Sequence, residues 1–248
     1  MASRVRGRGL LPLCLSIIVS AVVLALAAPA HAAATTTVAL WNMDEAAGAT
    51  TMADSSGNGR NGTVGSDVQT GVSVQGATAY RFPFILPNKP PARPQHLVTI
   101  PDNPLLDPDT ADYAVSFRYR TTQNFGNVVQ KGQNGAVGGY WKFEQPNGLM
   151  TCLFRNASGV QRAVTSPVKT NDGAFHTIRC ERTVNALTLF VDGVQVRRSS
   201  SSTPLGQIGN NRPISIGGKS NCDQVAVDRK STRLNSSHRS LSRMPSSA

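Results

Sequence analysis

Few side chains in this sequence have the chemistry needed for hydrolysis. Its three glutamates are Glu45, Glu144 and Glu181. A glycosidase needs two carboxyl groups about 5 to 10 Å apart, one on each side of the scissile bond, and no spacing here marks such a pair. His176 has no serine or cysteine nucleophile motif beside it, so it reads as a hydrogen-bonded histidine at the start of a strand. These residues predict a chain that is not an enzyme.

Hard oxygen ligands cluster in the stretch Asp54-Ser-Ser-Gly-Asn58-Gly. Carboxylate and amide oxygens on a turn are suitable ligands for Ca²⁺, so Asp54 and Asn58 are candidate metal ligands. The alternative is an Asx-turn in which glycine supplies the positive φ angle. Both interpretations place this stretch in a turn.

Sugar sites usually present an exposed aromatic plane next to polar groups. Strand alternation directs Trp41, Trp141 and Phe143 inward, where they are expected to form part of a core. Tyr140 then faces outward beside Lys142. Tyr140 and Lys142 are therefore the predicted ligand-binding pair.

Cysteine usage predicts one disulfide. Cys14 lies in an N-terminal leader, and the remaining cysteines are Cys152, Cys180 and Cys222, which is an odd number. Cys152 and Cys180 both fall within predicted strands, across a sheet or on neighbouring strands. We predict that Cys152 and Cys180 are bonded in an oxidising compartment and that Cys222 has no partner in this chain.

Short strands separated by Gly, Asn, Asp and Pro dominate the body of the chain. Residues 172–196 carry a hairpin with Ile178 and Cys180 facing inward, followed by an Asp192-Gly193 type I′ turn and a third strand. Further strands are predicted at residues 38–43, 80–83, 97–100, 113–121, 127–130, 140–144, 149–155, 160–165, 214–217 and 224–227. A proline-rich loop at residues 83–94 separates two of them. The pattern predicts two antiparallel sheets packed face to face.

Five motifs in order carry a resemblance to a known family. They are Leu40-Trp-Asn-Met-Asp-Glu45 with Asp54-Ser-Ser-Gly-Asn-Gly59, Asp112-Tyr-Ala-Val-Ser-Phe-Arg118, Val128-Val-Gln-Lys-Gly132, the Asp172–Val196 stretch, and Pro213-Ile-Ser-Ile-Gly-Gly-Lys219. Together they resemble the laminin G-like domains of the concanavalin A-like lectin/glucanase superfamily. The resemblance implies an all-β fold, a concanavalin A-like jelly-roll β-sandwich of two antiparallel sheets. Phe175 departs from the family, which more often has Trp there.

The resemblance also implies a function and a cofactor. Concanavalin A-like sandwiches often hold a structural Ca²⁺ between the first and last strands, which makes Asp44 a third candidate ligand. We expect a non-catalytic module that binds carbohydrate or another extracellular surface ligand. The alternatives are a structural or adhesive module of a larger cell-surface protein and a glycoside hydrolase of the glucanase branch. The Glu-x-Asp-x-x-Glu strand motif of that branch does not occur around Glu45, Glu144 or Glu181.

The N-terminus has the features of a secretory signal peptide. Arg4, Arg6 and Arg8 precede an apolar run, and Ala30-His-Ala32 resembles a cleavage site. We predict a signal peptide at residues 1–32, a secreted domain at residues 33–227, and no membrane span after cleavage. Retention of the run as a membrane anchor is the alternative.

The C-terminal segment is basic and rich in serine. Residues 228–238, Asp-Arg-Lys-Ser-Thr-Arg-Leu-Asn-Ser-Ser-His, resemble the translation of a sequencing-adapter oligonucleotide. We therefore predict that residues 228–248 form an artefactual, disordered tail without sandwich contacts, that the natural last strand is lost, and that the first strand has an open edge. A genuine disordered tail is the alternative. Much of the net charge of +11 lies in the two terminal segments, so the mildly basic body predicts a monomer that does not bind nucleic acid.

Overall fold

The computed structural model describes residues 36–83 and 95–219, together with the backbone of residues 239–243. Nearly all regular structure in these ranges is β-strand, broken by short 3-10 helices at Pro104–Leu106 and Pro146–Gly148. The strands are β1 (Thr36–Leu40), β2 (Thr51–Met52), β3 (Gly62–Val64), β4 (Gln69–Val74), β5 (Ala77–Arg81), β6 (Val98–Ile100), β7 (Tyr113–Arg120), β8 (Asn127–Lys131), β9 (Gly139–Glu144), β10 (Leu149–Asn156), β11 (Gln161–Lys169), β12 (Phe175–Arg182), β13 (Ala186–Val191), β14 (Val194–Ser200), β15 (Ile214–Ile216) and β16 (Arg239–Arg243).

The strands form two large antiparallel sheets and a separate β4–β5 hairpin. One sheet has six strands in the order β1-β16-β7-β12-β13-β14, and the other has eight in the order β11-β10-β9-β8-β15-β6-β3-β2. Neighbours in each sheet are often distant in the sequence, as expected for a jelly roll. The predicted fold class, a β-sandwich of two antiparallel sheets, is confirmed.

Strand alternation places the apolar side chains between the sheets. Ile178 and Cys180 of β12 are fully buried, as predicted from their period-2 spacing. Trp41, Trp141 and Phe143 are also buried, which confirms that these aromatic side chains belong to the core. Phe143 meets Phe117 of the other sheet edge to face, with ring centroids 5.1 Å apart.

The predicted disulfide joins the two sheets. Cys152 lies on β10 of the eight-stranded sheet and Cys180 lies on β12 of the six-stranded sheet. Their sulfur atoms are bonded, and their Cα atoms are 6.5 Å apart, which is within the usual range for a disulfide. The bond therefore ties the sheets together through the core. Cys222 lies outside the described residues.

The turn between β13 and β14 has the predicted type. Asp192 and Gly193 both have positive φ, at 51° and 81°, which a type I′ turn requires. The strands of residues 172–196 are found where they are predicted, although β14 continues to Ser200. The predicted strand at residues 224–227 and the predicted signal peptide lie outside the described residues, and so does most of the proline-rich loop. No helix in the described ranges is long and apolar enough to cross a membrane.

The prediction that residues 228–248 make no sandwich contacts is wrong at β16. The backbone of Arg239–Arg243 pairs antiparallel with β7 on one side and with β1 on the other. The physical reason is that the space between β1 and β7 presents rows of backbone donors and acceptors, and main-chain pairing does not require an apolar alternation. The missing period-2 pattern in this segment was therefore a poor guide to pairing.

Candidate functional site

The outer face of the six-stranded sheet presents basic and aromatic side chains together. On β12 the buried Ile178 and Cys180 alternate with Phe175, Thr177 and Arg179, which are partly or fully exposed. Because β7 pairs with β12 in register, the odd positions of β12 and the arginines of β7 share this outer face. We call this surface the arginine face; it consists of Arg118, Arg120, Phe175, Arg179, Phe190 and Arg198.

Arg118 and Phe175 form the centre of the arginine face. The Arg118 guanidinium lies 4.2 Å from the centroid of the Phe175 ring, which is a cation–π contact. Arg120, directly opposite Phe175 on β7, donates from Nε to the Gly173 carbonyl oxygen. Both contacts fix the direction of long side chains that would otherwise move freely in solvent.

The rest of the arginine face is also ordered by local contacts. Arg179 Nε donates to Glu181 Oε1 at 2.7 Å, and Arg198 Nη1 donates to Thr188 Oγ1 at 3.1 Å. Phe190 lies opposite Arg179 on β13 and is partly exposed. The arginine face contains four arginines and no carboxylate of its own, and Glu181 pairs with one of the four, so the surface has an excess of positive charge. It suits a ligand that offers acidic groups or hydroxyl oxygens and a flat ring.

The predicted ligand-binding pair does not form an exposed platform. Tyr140 is only 4% exposed, so its expected role as a solvent-facing stacking surface is wrong. Alternation gave the correct direction of the side chain, but Gly132 approaches its Cβ and Asn210 donates to the neighbouring Gly139 carbonyl oxygen. Lys142 Nζ is paired with Glu144 Oε2 at 2.7 Å, so its charge is locally balanced.

Tyr140 instead lines a cleft of about 310 Å³ at one end of the eight-stranded sheet. The loop that follows β8 forms one wall, and the β10–β11 connection forms the other. Arg155 is the single charged residue in the lining, opposite Tyr140 on the adjacent strand. The lining residues are Gly135, Ala136, Val137, Gly138, Gly139, Tyr140, Arg155, Asn156 and Ala157. The cleft is a second candidate site, and Lys142 is not among its lining residues.

The glycines of this loop are required by close packing. At Gly138, a Cβ atom would lie 1.8 Å from the Gly209 carbonyl oxygen, which no side chain can tolerate. Gly138 also has a φ of 92°, a region that favours glycine. The Gly209 amide donates to the Gly138 carbonyl oxygen at 2.9 Å. This packing joins residues more than 70 positions apart, so no local sequence pattern predicts it.

The predicted metal ligand Asp54 has a structural role in this geometry. Its Oδ1 accepts from the Ser56 amide at 2.9 Å and from the Leu40 amide at 3.0 Å, while Oδ2 accepts from the Arg60 amide at 2.9 Å. The Ser56 contact is an Asx-turn. These hydrogen bonds lower the pKa of the Asp54 carboxyl below its usual value, although burial alone would raise it. The Asx-turn alternative therefore describes this stretch.

Asn58 and Asp44 add no cation cage around Asp54. The Asn58 side-chain amide donates to the carbonyl oxygens of Thr37 and Val38 in β1, at 3.3 and 3.2 Å, so it binds the strand as a donor. Asp44 is exposed. Within the described ranges no cluster of three or more His, Cys, Asp or Glu residues could hold a metal ion. This donor set does not fit the predicted calcium site.

The same contacts correct the prediction of an open edge on β1. Asp54 and Asn58 bind backbone groups of β1, and Arg60 Nη1 donates to the Val38 carbonyl oxygen. Trp41 is buried, and its Nε1 donates to the Arg60 carbonyl oxygen at 2.7 Å, whereas Leu40 at the end of β1 is partly exposed. β16 pairs with one side of β1, and side chains of Asp54, Asn58 and Arg60 cover the other. Asp54 and Asn58 of this loop are the candidate metal ligands predicted from the sequence.

Each glutamate has a local partner. Glu45 accepts from the Ala53 amide at 2.7 Å through Oε1 and from the Tyr80 hydroxyl through Oε2. Glu144 is paired with Lys142, and Glu181 with Arg179. All three glutamates therefore have structural partners.

Comparison with known proteins gives matches to a family profile and to solved structures. A profile of the laminin G domain matches residues 119–240, whereas no curated protein sequence matches the chain. The binding domain of Paraclostridial mosquitocidal protein 1 aligns with 16% identity and a TM-score of 0.58, over 85% of this chain and 48% of that one. The binding domain of botulinum neurotoxin serotype G aligns with 12% identity and a TM-score of 0.60, over 86% and 48%.

A third solved structure was determined with a sugar. The ligand-binding domain of botulinum neurotoxin serotype D, in complex with N-acetylneuraminic acid, aligns with 12% identity and a TM-score of 0.55, over 86% of this chain and 48% of that one. The chain thus spans about half the length of the solved structures it matches, and at these identities the likeness concerns the fold. With the profile match over residues 119–240 and the observed sandwich, it makes this chain similar in fold to laminin G domains.

Proposed function

We propose that this domain is a secreted, non-catalytic module that binds carbohydrate or another extracellular surface ligand through the arginine face. The proposal depends chiefly on one observation, the Arg118 guanidinium stacked at 4.2 Å on the half-exposed ring of Phe175. An aromatic ring and several oriented guanidinium groups on one open sheet surface can hold a sugar ring and its acidic or hydroxyl substituents together. We expect the domain to act as a monomer and not to bind nucleic acid.

The comparisons support a binding role in a general way. Solved structures of similar fold are described as binding domains, and one of them is described as a complex with N-acetylneuraminic acid. The fold alone does not determine a ligand, so the argument for this surface depends on its own side chains. Because each glutamate has a structural partner, we propose binding without hydrolysis.

The test is a glycan array probed with the full chain, followed by titration calorimetry with a ligand that the array identifies. Phe175→Ala should remove most of the affinity, and Arg118→Gln should weaken it by about tenfold, which corresponds to about 1.4 kcal/mol. Lys169→Gln, an exposed charge removal at the end of β11, is the matched control and should leave affinity unchanged. Affinity for an acidic ligand should fall as salt is added.

Two results would contradict the proposal. Release of reducing sugar from the bound ligand would support the glycoside hydrolase alternative. Binding that survives Phe175→Ala and Arg118→Gln, but not Arg155→Gln, would transfer the site to the cleft beside Tyr140. If no glycan binds and the domain instead retains a cell-surface protein, the adhesive-module alternative is supported.

A further inference from the structure

Lys131 is a fully buried cation at the end of β8. Its side chain has no exposed surface, and across the sheet it lies opposite Trp141 on β9 and Ile214 on β15. Burial of an ammonium group is unfavourable unless several acceptors replace its water. The position of Lys131 therefore depends on the groups that surround Nζ.

Two carboxylates and one carbonyl group converge on this nitrogen. Lys131 Nζ lies 2.7 Å from Asp102 Oδ1 and 2.7 Å from Asp107 Oδ1, and it also donates to the Asn210 carbonyl oxygen. The Asp102 side chain is one-third exposed, whereas the Asp107 side chain is 13% exposed. The amine thus touches a buried carboxyl group on one side and a carboxylate with access to solvent on the other.

Asp107 is held firmly in this arrangement. It caps the Pro104–Leu106 helix, and its Oδ1 also accepts from the Asn210 amide at 3.2 Å. Leu106 and Ile208, which are both completely buried, flank this region. Burial raises the pKa of the Asp107 carboxyl above its usual value, although the hydrogen bond from Lys131 opposes this effect. Such a carboxyl group is a better electrophile than a solvated carboxylate, because less negative charge opposes the attack of an amine.

We propose that Lys131 and Asp107 condense to an intramolecular amide, with Asp102 as the group that transfers the proton. Asp102 accepts one proton from the ammonium, and the free amine attacks Cγ of Asp107 to form the C–N bond. A C–O bond of Asp107 then breaks. The departing oxygen takes the proton back from Asp102 and a second proton from the nitrogen, and it leaves as water.

The reaction is balanced without any further reactant. One ammonium and one carboxylate give one amide and one water molecule, and Asp102 returns to its starting state. Fixed reactants can have effective molarities of about 10⁵ M or more, which favours a condensation that dilute groups in water do not undergo. The part-exposed Asp102 side provides a path for the released water, while the buried Lys131 side limits hydrolysis of the product.

The amide has a structural consequence that the ion pair lacks. It would join the loop after β6 to β8 covalently, at the edge of the core where the β14–β15 connection also arrives through Asn210. With the disulfide between Cys152 and Cys180, the sandwich would then have two covalent ties, only one of which a reducing agent can break.

Intact-mass spectrometry of the full chain, denatured and reduced, tests the proposal directly. The expected mass is lower than the mass calculated from the sequence of the purified chain by one water molecule. A tryptic digest should contain a branched peptide that joins the segment carrying Asp107 to the segment carrying Lys131, with no cleavage after Lys131. An unchanged mass, together with a linear peptide ending at Lys131, would overturn the proposal without any variant.

Variants separate the cross-link from other losses of water. Lys131→Arg keeps the charge but has no amine that can condense, so it should restore the full calculated mass. Asp102→Asn keeps both reacting groups and should slow or abolish the reaction. Lys142→Arg is the matched control, because Lys142 and Glu144 are also 2.7 Å apart but both side chains are about one-fifth exposed; it should leave the mass deficit intact. A deficit that persists in Lys131→Arg would contradict the assignment.

Discussion

Two regions of this sandwich place a basic side chain between two aspartates, and they differ in burial. Near the end of β8, the fully buried Lys131 lies between Asp102 and Asp107. At the start of β12, His176 lies between Asp192, at 2.8 Å from Nδ1, and Asp172, at 3.1 Å from Nε2. The side chains of both of these aspartates are about half exposed. The types of contact are similar, but removal of one partner is expected to change the free energy of unfolding by different amounts in the two clusters.

The comparison shows that burial determines what such a cluster can do. Around His176, water can replace a missing hydrogen-bond partner. This cluster therefore affects only the local loop and the dependence of stability on pH. Around Lys131, no water can replace the ammonium, so its loss leaves two acidic groups facing each other in a partly buried space. Exclusion of water is also what makes the Lys131 cluster, and not the His176 cluster, a place where a condensation could proceed.

The largest expected effect is that of Lys131→Met. Removal of the cation leaves Asp102 and Asp107 without a counter-charge, and loss of one partner from a buried ion pair costs about 3–5 kcal/mol. Urea unfolding at pH 7 should show this loss in the free energy of unfolding. Lys142→Met, which breaks a pair whose side chains are about one-fifth exposed, should cost less, about 1 kcal/mol. Similar losses in the two variants would show that burial is not what distinguishes the two pairs.

The disulfide offers the next test, because Cys180 lies on β12 between His176 and the buried Arg182. Replacement of Cys152 and Cys180 by alanine should cost about 2–5 kcal/mol. The loss comes from greater freedom of the unfolded chain and from the break between the sheets. Thermal unfolding of the double variant, compared with the oxidised parent, measures it, and the reduced parent is the control. A variant as stable as the oxidised parent would mean that packing alone holds the sheets together.

Asp54 is a carboxylate that accepts hydrogen bonds from backbone amides. It therefore tests how much an aspartate contributes when its partners are amides and not a basic side chain. Asp54→Ala leaves the amide of Leu40 in β1 and the loop amides of Ser56 and Arg60 without their acceptor, and we expect a loss of about 1–3 kcal/mol. Because the donor set does not fit calcium, urea midpoints of the parent should be the same with calcium and with a chelator. A calcium-dependent rise in the midpoint that Asp54→Ala abolishes would restore the metal site predicted from the sequence.

The smallest effect is expected at His176. Burial alone would lower the pKa of His176, but hydrogen bonds with Asp192 and Asp172 raise it above its usual value. The folded-state pKa is then higher than the unfolded-state pKa of about 6.5. The contribution to stability is therefore fully present below about pH 6.5 and is lost as pH rises through the folded-state value.

His176→Gln should remove this pH dependence. The difference in the free energy of unfolding between the parent and the variant should shrink from about pH 6 to pH 9, and the change should stay within the range of exposed ion pairs, about 0.2–1 kcal/mol. An NMR titration of the His176 ring gives the pKa independently. A measured value at or below 6.5, or a difference that grows with pH, would contradict the assignment.

Local patterns in the sequence predicted much of the sandwich. β7, β8 and β9 are found within one residue of their expected bounds, because alternating apolar side chains and turn residues are visible in a short window. β4 was missed because Gly71 interrupts its pattern, and β2 and β3 are too short to show a period. β16 was missed because main-chain pairing carries no apolar signature.

The site was harder to predict than the fold, for a physical reason. Alternation tells which side of a strand Tyr140 occupies, but not that a loop and Asn210 cover that side. Arg118 and Phe175 lie 57 positions apart, and their contact depends on the register between β7 and β12. The turn alternative at Asp54 was open from the sequence, but the choice between turn and cation required knowing that its oxygens face backbone amides.

The position of β16 has a consequence for the order in which the chain can fold during synthesis. β1 is the first of the described strands to be made, and its neighbour in the sheet, β16, is the last. All eight strands of the other sheet are translated in the interval, so that sheet can assemble while β1 still lacks its neighbour. A nascent chain would therefore carry an unpaired first strand until residues 239–243 emerge. During that period, the Asp54–Arg60 loop is the part of the described chain that can shield β1 from pairing with other chains.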